Sequence, residues 1–181
     1  MPFHFGRCEH GGLWSKKKIE NLDDFLNLRM RLMGHAKEDF NALGGKSKFS
    51  TLSSMPNLAQ SGQIDANEGF SPHLDTSLHF GSGFNFYYEG WPKQVSYLGV
   101  FIKKASYESL TEEEKQGLGE TISTYNQQLT VELAAKDKAA LKKLREASPD
   151  FVQLFPYEVM LPLRARYQAR IEALKIDIPI A

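Results

Sequence analysis

Arg31-Leu-Met-Gly34 and Leu58-Ala-Gln-Ser-Gly62-Gln-Ile-Asp65-Ala-Asn-Glu68 are the segments whose reading decides the fold. Arg31 stands in the apolar frame Leu28-Arg-Met-Arg31-Leu-Met33, which alternates as a strand does. Its guanidinium is a planar, permanently charged fork, the group best suited to holding a carboxylate through two hydrogen bonds. That predicts an anion grip at a strand end. Residues 36–43 read as a short helix stopped by Gly44-Gly45, and residues 63–67 as a second strand. In open α/β sheets ligand sites form outside the carboxyl ends of strands, so Arg31 and Glu68 are expected at neighbouring strand ends.

Working outward, strand and helix signals alternate up to about residue 103. Asn21-Leu-Asp-Asp24 reads as a helix cap with acidic residues in the first turn. Residues 48–52 read as a strand, and residues 53–60 as a helix capped by Ser53 or Ser54. Ser71-Pro72 opens the next helix, with proline where the first turn tolerates it. Residues 84–88 and 95–102 are rich in aromatic and β-branched residues and read as strands. The repeated order predicts an α/β fold of four to six strands, with a mostly parallel sheet and crossover helices. Beyond it Thr111-Glu-Glu-Glu114 resembles a capping box. It opens a long helix with apolar residues at Leu118, Ile122, Tyr125, Leu129 and Leu133. Residues 136–147 continue as a charged helix, residues 151–155 read as a brief strand, and Pro156 begins a final helix.

The order of motifs resembles the solute receptors (DctP-type) of tripartite ATP-independent periplasmic (TRAP) transporters. The matching segments are Gly11-Gly12-Leu13-Trp14, Lys18-Ile19-Glu20-Asn21-Leu22-Asp23-Asp24-Phe25, Arg31 with Gly34, Gly62 with Ile64-Asp65-Ala66 and Glu68, Tyr87-Tyr88-Glu89-Gly90-Trp91, and the helix start from Lys104 to Lys115. The resemblance implies a periplasmic-binding-protein-like second lobe over residues 1–103 and a C-terminal helical segment packed on it over residues 104–181. It also implies a solute-binding component that captures a small organic acid for uptake, and TRAP membrane permease subunits as partners. In that family the ligand lies between two lobes, and an arginine at the place of Arg31 holds its carboxylate. In the branch that binds 2-oxo acids, a glutamate at the place of Glu68 ligates a cation. The resemblance thus implies no required cofactor, with Na+ or Ca2+ at the ligand site in that branch. The branch follows the glutamate with tryptophan, where this chain has Gly69.

The family's receptors carry a first lobe upstream, and Met1-Pro-Phe-His-Phe-Gly-Arg-Cys8 lacks both the basic start and the apolar core of a signal peptide. The expectation is a C-terminal part of a receptor, served by a separate first lobe or left as an inactive fragment. Its location is periplasmic by resemblance and cytoplasmic if the chain stands alone. Such a part is expected to expose apolar surface along the helix after Thr111 and on the tail from Ile176.

Composition bounds the alternatives. With 181 residues, 41% hydrophobic and 24% charged, the chain can bury a core. Its 22 basic and 22 acidic residues cancel, which leaves no electrostatic footprint for nucleic acid. No apolar run approaches the ~20 residues that span a bilayer as a helix.

Each chemical candidate has an ordinary rival. Arg31 could be a surface ion pair and Glu68 a solvated strand end; the family resemblance favours ligand roles for both. Among Phe84, Phe86, Tyr87, Tyr88 and Trp91, alternation predicts that Phe84 and Phe86 share one face and Tyr87 the other. Tyr87, Tyr88 and Trp91, with amphipathic rings, are the ligand candidates, and core packing is their rival. His4, Cys8 and His10, with His73 and His79, invite a zinc reading but lack paired ligand spacing. His73-Leu-Asp75 imitates part of an iron triad on a segment that reads as helix. A metal-dependent enzyme using the histidines and Glu68 is therefore the weaker alternative, and no catalytic residue is assigned.

Overall fold

Asp65 ties the first two central strands together. Its backbone N–H donates to the Arg29 carbonyl at 2.8 Å, and its carboxylate accepts from the Arg29 backbone at 3.0 Å and from Nε and Nη2 at 2.8 Å each. The computed structural model describes residues 2–8, 11–91 and 96–177. The chain order is β1 (Pro2–Cys8), β2 (Leu13–Ser15), α1 (Leu22–Leu26), β3 (Arg29–Arg31), α2 (Gly34–Ala42), β4 (Lys46–Lys48), α3 (Met55–Gln60), β5 (Ala66–Glu68), α4 (Pro72–Ser77), β6 (Phe86–Glu89), β7 (Ser96–Phe101), α5 (Lys104–Glu108), α6 (Glu112–Ala147), β8 (Val152–Leu154) and α7 (Tyr157–Asp177).

Six strands form the main sheet in the order β4-β3-β5-β2-β6-β8. The β3–β4, β3–β5 and β6–β8 pairs are parallel, and β2 runs antiparallel to both its neighbours. This is the mixed, mostly parallel α/β sheet that the sequence predicts, with one inverted strand. A separate antiparallel ribbon pairs β1 with β7 from Pro2↔Phe101 to Cys8↔Ser96. The sheet is not confined to residues 1–103, because β8 returns from the C-terminal segment to pair with β6.

Local chemistry explains the element ends. Asn21 caps α1 by accepting from the Asp24 N–H at 2.8 Å. Helix α2 ends with Gly44 at φ 101°, the left-handed position after a C-cap that glycine adopts without strain. The capping box at Thr111 is complete in both directions, and the helix it opens runs unbroken for 36 residues.

Several boundaries differ from the sequence reading. The strand expected over residues 48–52 is Lys46–Lys48, because Leu52–Ser54 coils into a 3₁₀ turn. Ser54 stands at the N-cap position of α3, but its Oγ donates to the Thr51 carbonyl at 2.8 Å, so its side chain closes that turn and makes no cap bond to the helix. Phe84 precedes β6 and packs with Tyr87 and Trp14, while Phe86 packs against the core that holds Tyr88. The expected grouping of Phe84 with Phe86 fails because strand alternation does not extend into the preceding loop.

Two cores flank the sheet. One gathers Leu13, Phe25, Met30, Phe40, Tyr88, Phe155 and Val159 under α1, α2 and α7. The other gathers Trp14, Ile64, Phe84 and Tyr87, with Leu141 and Leu144 of α6 against it. Along α6, Ile122 is buried, whereas Tyr125 and Val131 are 51% and 72% exposed. Tyr125 lies to one side of the stripe formed by Leu118, Ile122, Leu129 and Leu133. The tail beyond Asp177 lies outside the described residues, as does His10.

Helix α7 is fastened by charge. Buried Asp39 on α2 accepts from Arg166 Nε at 3.1 Å and from Arg170 Nη1 and Nη2 at 3.0 and 2.6 Å. Removing one partner of a buried, hydrogen-bonded ion pair is strongly destabilising, and the partial exposure of Arg166 reduces the effect here. Asp39→Ala is expected to lower the unfolding free energy by about 2 kcal/mol, read from the midpoint of a urea titration. An unchanged midpoint would show that apolar packing alone holds α7.

Candidate functional site

Strand pairing lines up Arg31, Asn67, Trp14, Tyr87 and Val152 as neighbours across β3, β5, β2, β6 and β8. Residues in register project from the same face, so these side chains form one row. Arg31 ends β3, beside Glu68 at the end of parallel β5, as the sequence predicts for neighbouring strand ends. Alternation sends Glu68 to the opposite face, so the two charges share an edge of the sheet rather than a face.

Arg31 is 1% exposed. Nε and Nη2 donate to the Ser50 carbonyl at 3.2 and 2.8 Å, and Nη2 also reaches Met33 Sδ at 3.0 Å. Nη1 makes no hydrogen bond among the described residues. One edge of the fork is thus committed to a carbonyl, and the other carries only a weak sulfur acceptor. Burial pushes the guanidinium pKa below its ordinary value, and the Glu68 charge opposes that shift. Arginine stays protonated even so.

Glu68 Oε1 accepts from Trp91 Nε1 at 2.9 Å. Trp91 in turn stacks in a tilted arrangement on Phe155 and Phe25 at 5.6 and 6.0 Å. Tyr88 lies within the same core, and its hydroxyl accepts from the Ile19 backbone N–H at 2.6 Å, so ring and hydroxyl both serve packing. Tyr87 is on the other face, edge-on to Trp14 at 4.7 Å. Burial first, and then the charges of Asp75, Glu89 and Asp137, push its phenol well above the ordinary range.

A cleft of about 460 Å³ opens beside Trp91, between the end of β6 and helix α6. Tyr87, Glu89 and Trp91 line one wall, and Asp137, Leu141 and Arg145 the other. Arg145 is paired with Glu89. Buried Asp137 accepts from the His73 backbone N–H at 2.9 Å, which fixes α4 against α6. Arg31 and Glu68 do not line this cleft; Trp91 joins it to them through Glu68. Sequence reasoning missed Asp137 and Arg145, because which side of a charged helix is docked depends on distant elements.

The position after Glu68 is filled from elsewhere. Trp14 Nε1 donates to Asp75 Oδ2 at 2.8 Å, and the Phe70 N–H donates to Oδ1 at 2.8 Å. A Cβ on Gly69 would run into this carboxylate and crowd the Trp14 indole nitrogen. Asp75 is therefore a structural acceptor within α4, and His79, at φ 57°, lies on the exposed turn after it. Among the described residues no three His, Cys, Asp or Glu side chains gather in a way that could hold a metal ion. Glu68 offers one carboxylate, partly engaged by Trp91, where calcium takes six to eight oxygens.

The model of the family described as bacterial extracellular solute-binding protein, family 7 (DctP), matches residues 11–172. Among solved structures, a TRAP periplasmic solute binding protein from Colwellia psychrerythraea with bound calcium and pyruvate is 24% identical, with a TM-score of 0.85 over 99% of this chain and 55% of that one. One from Pseudoalteromonas atlantica with bound sodium and pyruvate is 23% identical, with a TM-score of 0.82 over 98% and 54%. A third, from Bordetella bronchiseptica with calcium and picolinate, is 22% identical, with a TM-score of 0.82 over 96% and 52%. Likeness at this identity establishes the fold. The chain spans about half the length of the structures it matches.

The joint beneath the site titrates. The Arg29 side chain, helped by Lys17, holds the Asp65 carboxyl far below the usual carboxylate range. A depressed carboxyl contributes stability that is complete above its unfolded pKa of about 3.9 and is lost as pH falls through the folded value. The stability difference between wild type and Asp65→Asn is expected to stay constant from pH 7 to about pH 5 and to shrink below about pH 4. Urea unfolding across that range reads it, and a difference undiminished at about pH 2 would refute a charged joint.

Proposed function

Because the chain belongs to bacterial extracellular solute-binding protein family 7, the DctP family, we propose that its sheet edge at Arg31 grips the carboxylate of a small organic acid as part of a TRAP transporter receptor. The supporting observation is the half-engaged Arg31 fork, a buried cation whose Nη1 makes no hydrogen bond among the described residues and whose Nη2 divides between the Ser50 carbonyl and the weak Met33 sulfur acceptor. A carboxylate reaching Nη1 and Nη2 displaces that thioether and makes two charge-assisted bonds. Trp91 and Tyr87 supply the adjoining wall, Glu68 orients Trp91, and Tyr88 supports the strand from behind.

In this reading residues 1–103 carry the ligand lobe and residues 104–181 the helical segment packed on it. A first lobe, in the same or a separate chain, closes over the ligand, and the closed receptor delivers it from the periplasm to the membrane permease. The family consists of solute-binding proteins rather than enzymes, and no reaction is assigned to the histidines.

Arg31→Lys keeps the charge and loses the fork. Hydrogen bonds to charged groups are worth about 1.5 to 3 kcal/mol, so affinity for pyruvate-like acids or dicarboxylates is expected to fall at least about tenfold. Calorimetry on the chain, alone and joined to a first lobe, measures the change, and retained affinity would sink the grip. Glu68→Gln titrated with and without added sodium or calcium separates its two roles. An effect that needs the ion marks a cation ligand, and one that does not marks the partner of Trp91.

A further inference from the structure

Asn67 is fully buried, yet among the described residues neither its Nδ2 nor its Oδ1 has a hydrogen-bond partner. Reversing the amide changes nothing, because both ends are unmet. Buried polar groups are almost always paired, and each exception requires a physical reason. Two neighbouring groups are also unengaged among the described residues. Ser50 Oγ is buried and unpartnered, although the Ser50 carbonyl serves Arg31. Nη1 of Arg31 is unengaged among the described residues. The three groups stand at the carboxyl ends of β3 and β5 and just beyond β4, with Arg31 and Asn67 in direct register.

We propose that Asn67 reads a hydroxyl on the acid held by Arg31, and so selects 2-hydroxy carboxylates over their deoxy counterparts. This rests on the carboxylate reading of Arg31. An amide offers a donor and an acceptor side by side, and a hydroxyl is the small ligand group that answers both. A keto oxygen answers only Nδ2, and a methylene answers neither. Adjacent strands lie about 4.8 Å apart, so the amide flanks the guanidinium at a distance that suits a hydroxyl on the carbon next to a bound carboxylate. A site built to bond a hydroxyl rejects the analogue lacking it, because its own polar groups are then left unpaired.

The test is calorimetry on the full chain with two pairs of acids, lactate against propionate and malate against succinate, together with thermal unfolding. Wild type is expected to favour the hydroxylated member of the bound pair by about tenfold or more. Asn67→Leu, of similar volume, should bring that ratio to within about twofold of one. It should also keep affinity for the deoxy acid and leave the melting temperature unchanged or raised. If Asn67→Leu does not fold, Asn67→Ser serves instead, and its ratio should fall to an intermediate value. An unchanged ratio in the variant would overturn the inference while leaving the grip standing, and would assign the amide to a trapped water. If wild type, alone and joined to a first lobe, binds neither these four acids nor pyruvate, or binds them no better than Arg31→Lys does, the carboxylate reading falls and this inference with it.

Discussion

The Asp65 carboxylate is the constraint on which the site depends. It takes two side-chain bonds and one backbone bond from Arg29, while the Asp65 carbonyl accepts from the Lys16 N–H at 2.8 Å just beyond β2. Three strands thereby meet at one residue below the edge that carries Arg31. Register has a period of two, so a slip of one residue between β3 and β5 would send Arg31 and Asn67 to opposite faces. A surface ion pair contributes little, but here the carboxylate is buried and one of its partners is the Arg29 main-chain N–H. The joint acts through geometry more than through its own energy.

The two faces of the sheet divide the labour. On one, Met30, Phe25, Phe40, Tyr88 and Phe155 make a dry core that α7 closes through the Asp39 clamp. On the other, the row from Arg31 through Asn67 to Trp14 mixes charge, amide and indole, and is only partly satisfied. Burying such groups costs stability. The dry core offsets that cost, and the edge between the faces is where Glu68 and Trp91 meet.

What the sequence disclosed was local. Arg31 and Glu68 at neighbouring strand ends, the cap at Asn21 and the box at Thr111 follow from alternation and from hydrogen bonds spanning three residues. The inverted direction of β2, the Asp39 clamp more than a hundred residues from its arginines, and the Asp137 bond to His73 depend on contacts that no periodicity encodes. Tyr87 and Tyr88 illustrate the limit. Alternation sends them to opposite faces, but it does not say which face borders the cleft. Asn67 lies between Asp65 and Glu68, yet an asparagine in a strand declares nothing in sequence, because its significance depends on the partners it lacks among the described residues.

Gly69 carries a historical consequence. The space its side chain would need is taken by the Asp75 carboxylate and the Trp14 indole nitrogen, which are bonded to each other. A tryptophan at this position cannot be acquired by a single substitution without collision. Asp75 would have to shrink first, which would leave the buried Trp14 N–H without its acceptor and the Phe70 N–H without its own. Gly69, Asp75 and Trp14 thus constrain one another through a single point of contact, so that none of the three can be exchanged without consequence for the other two.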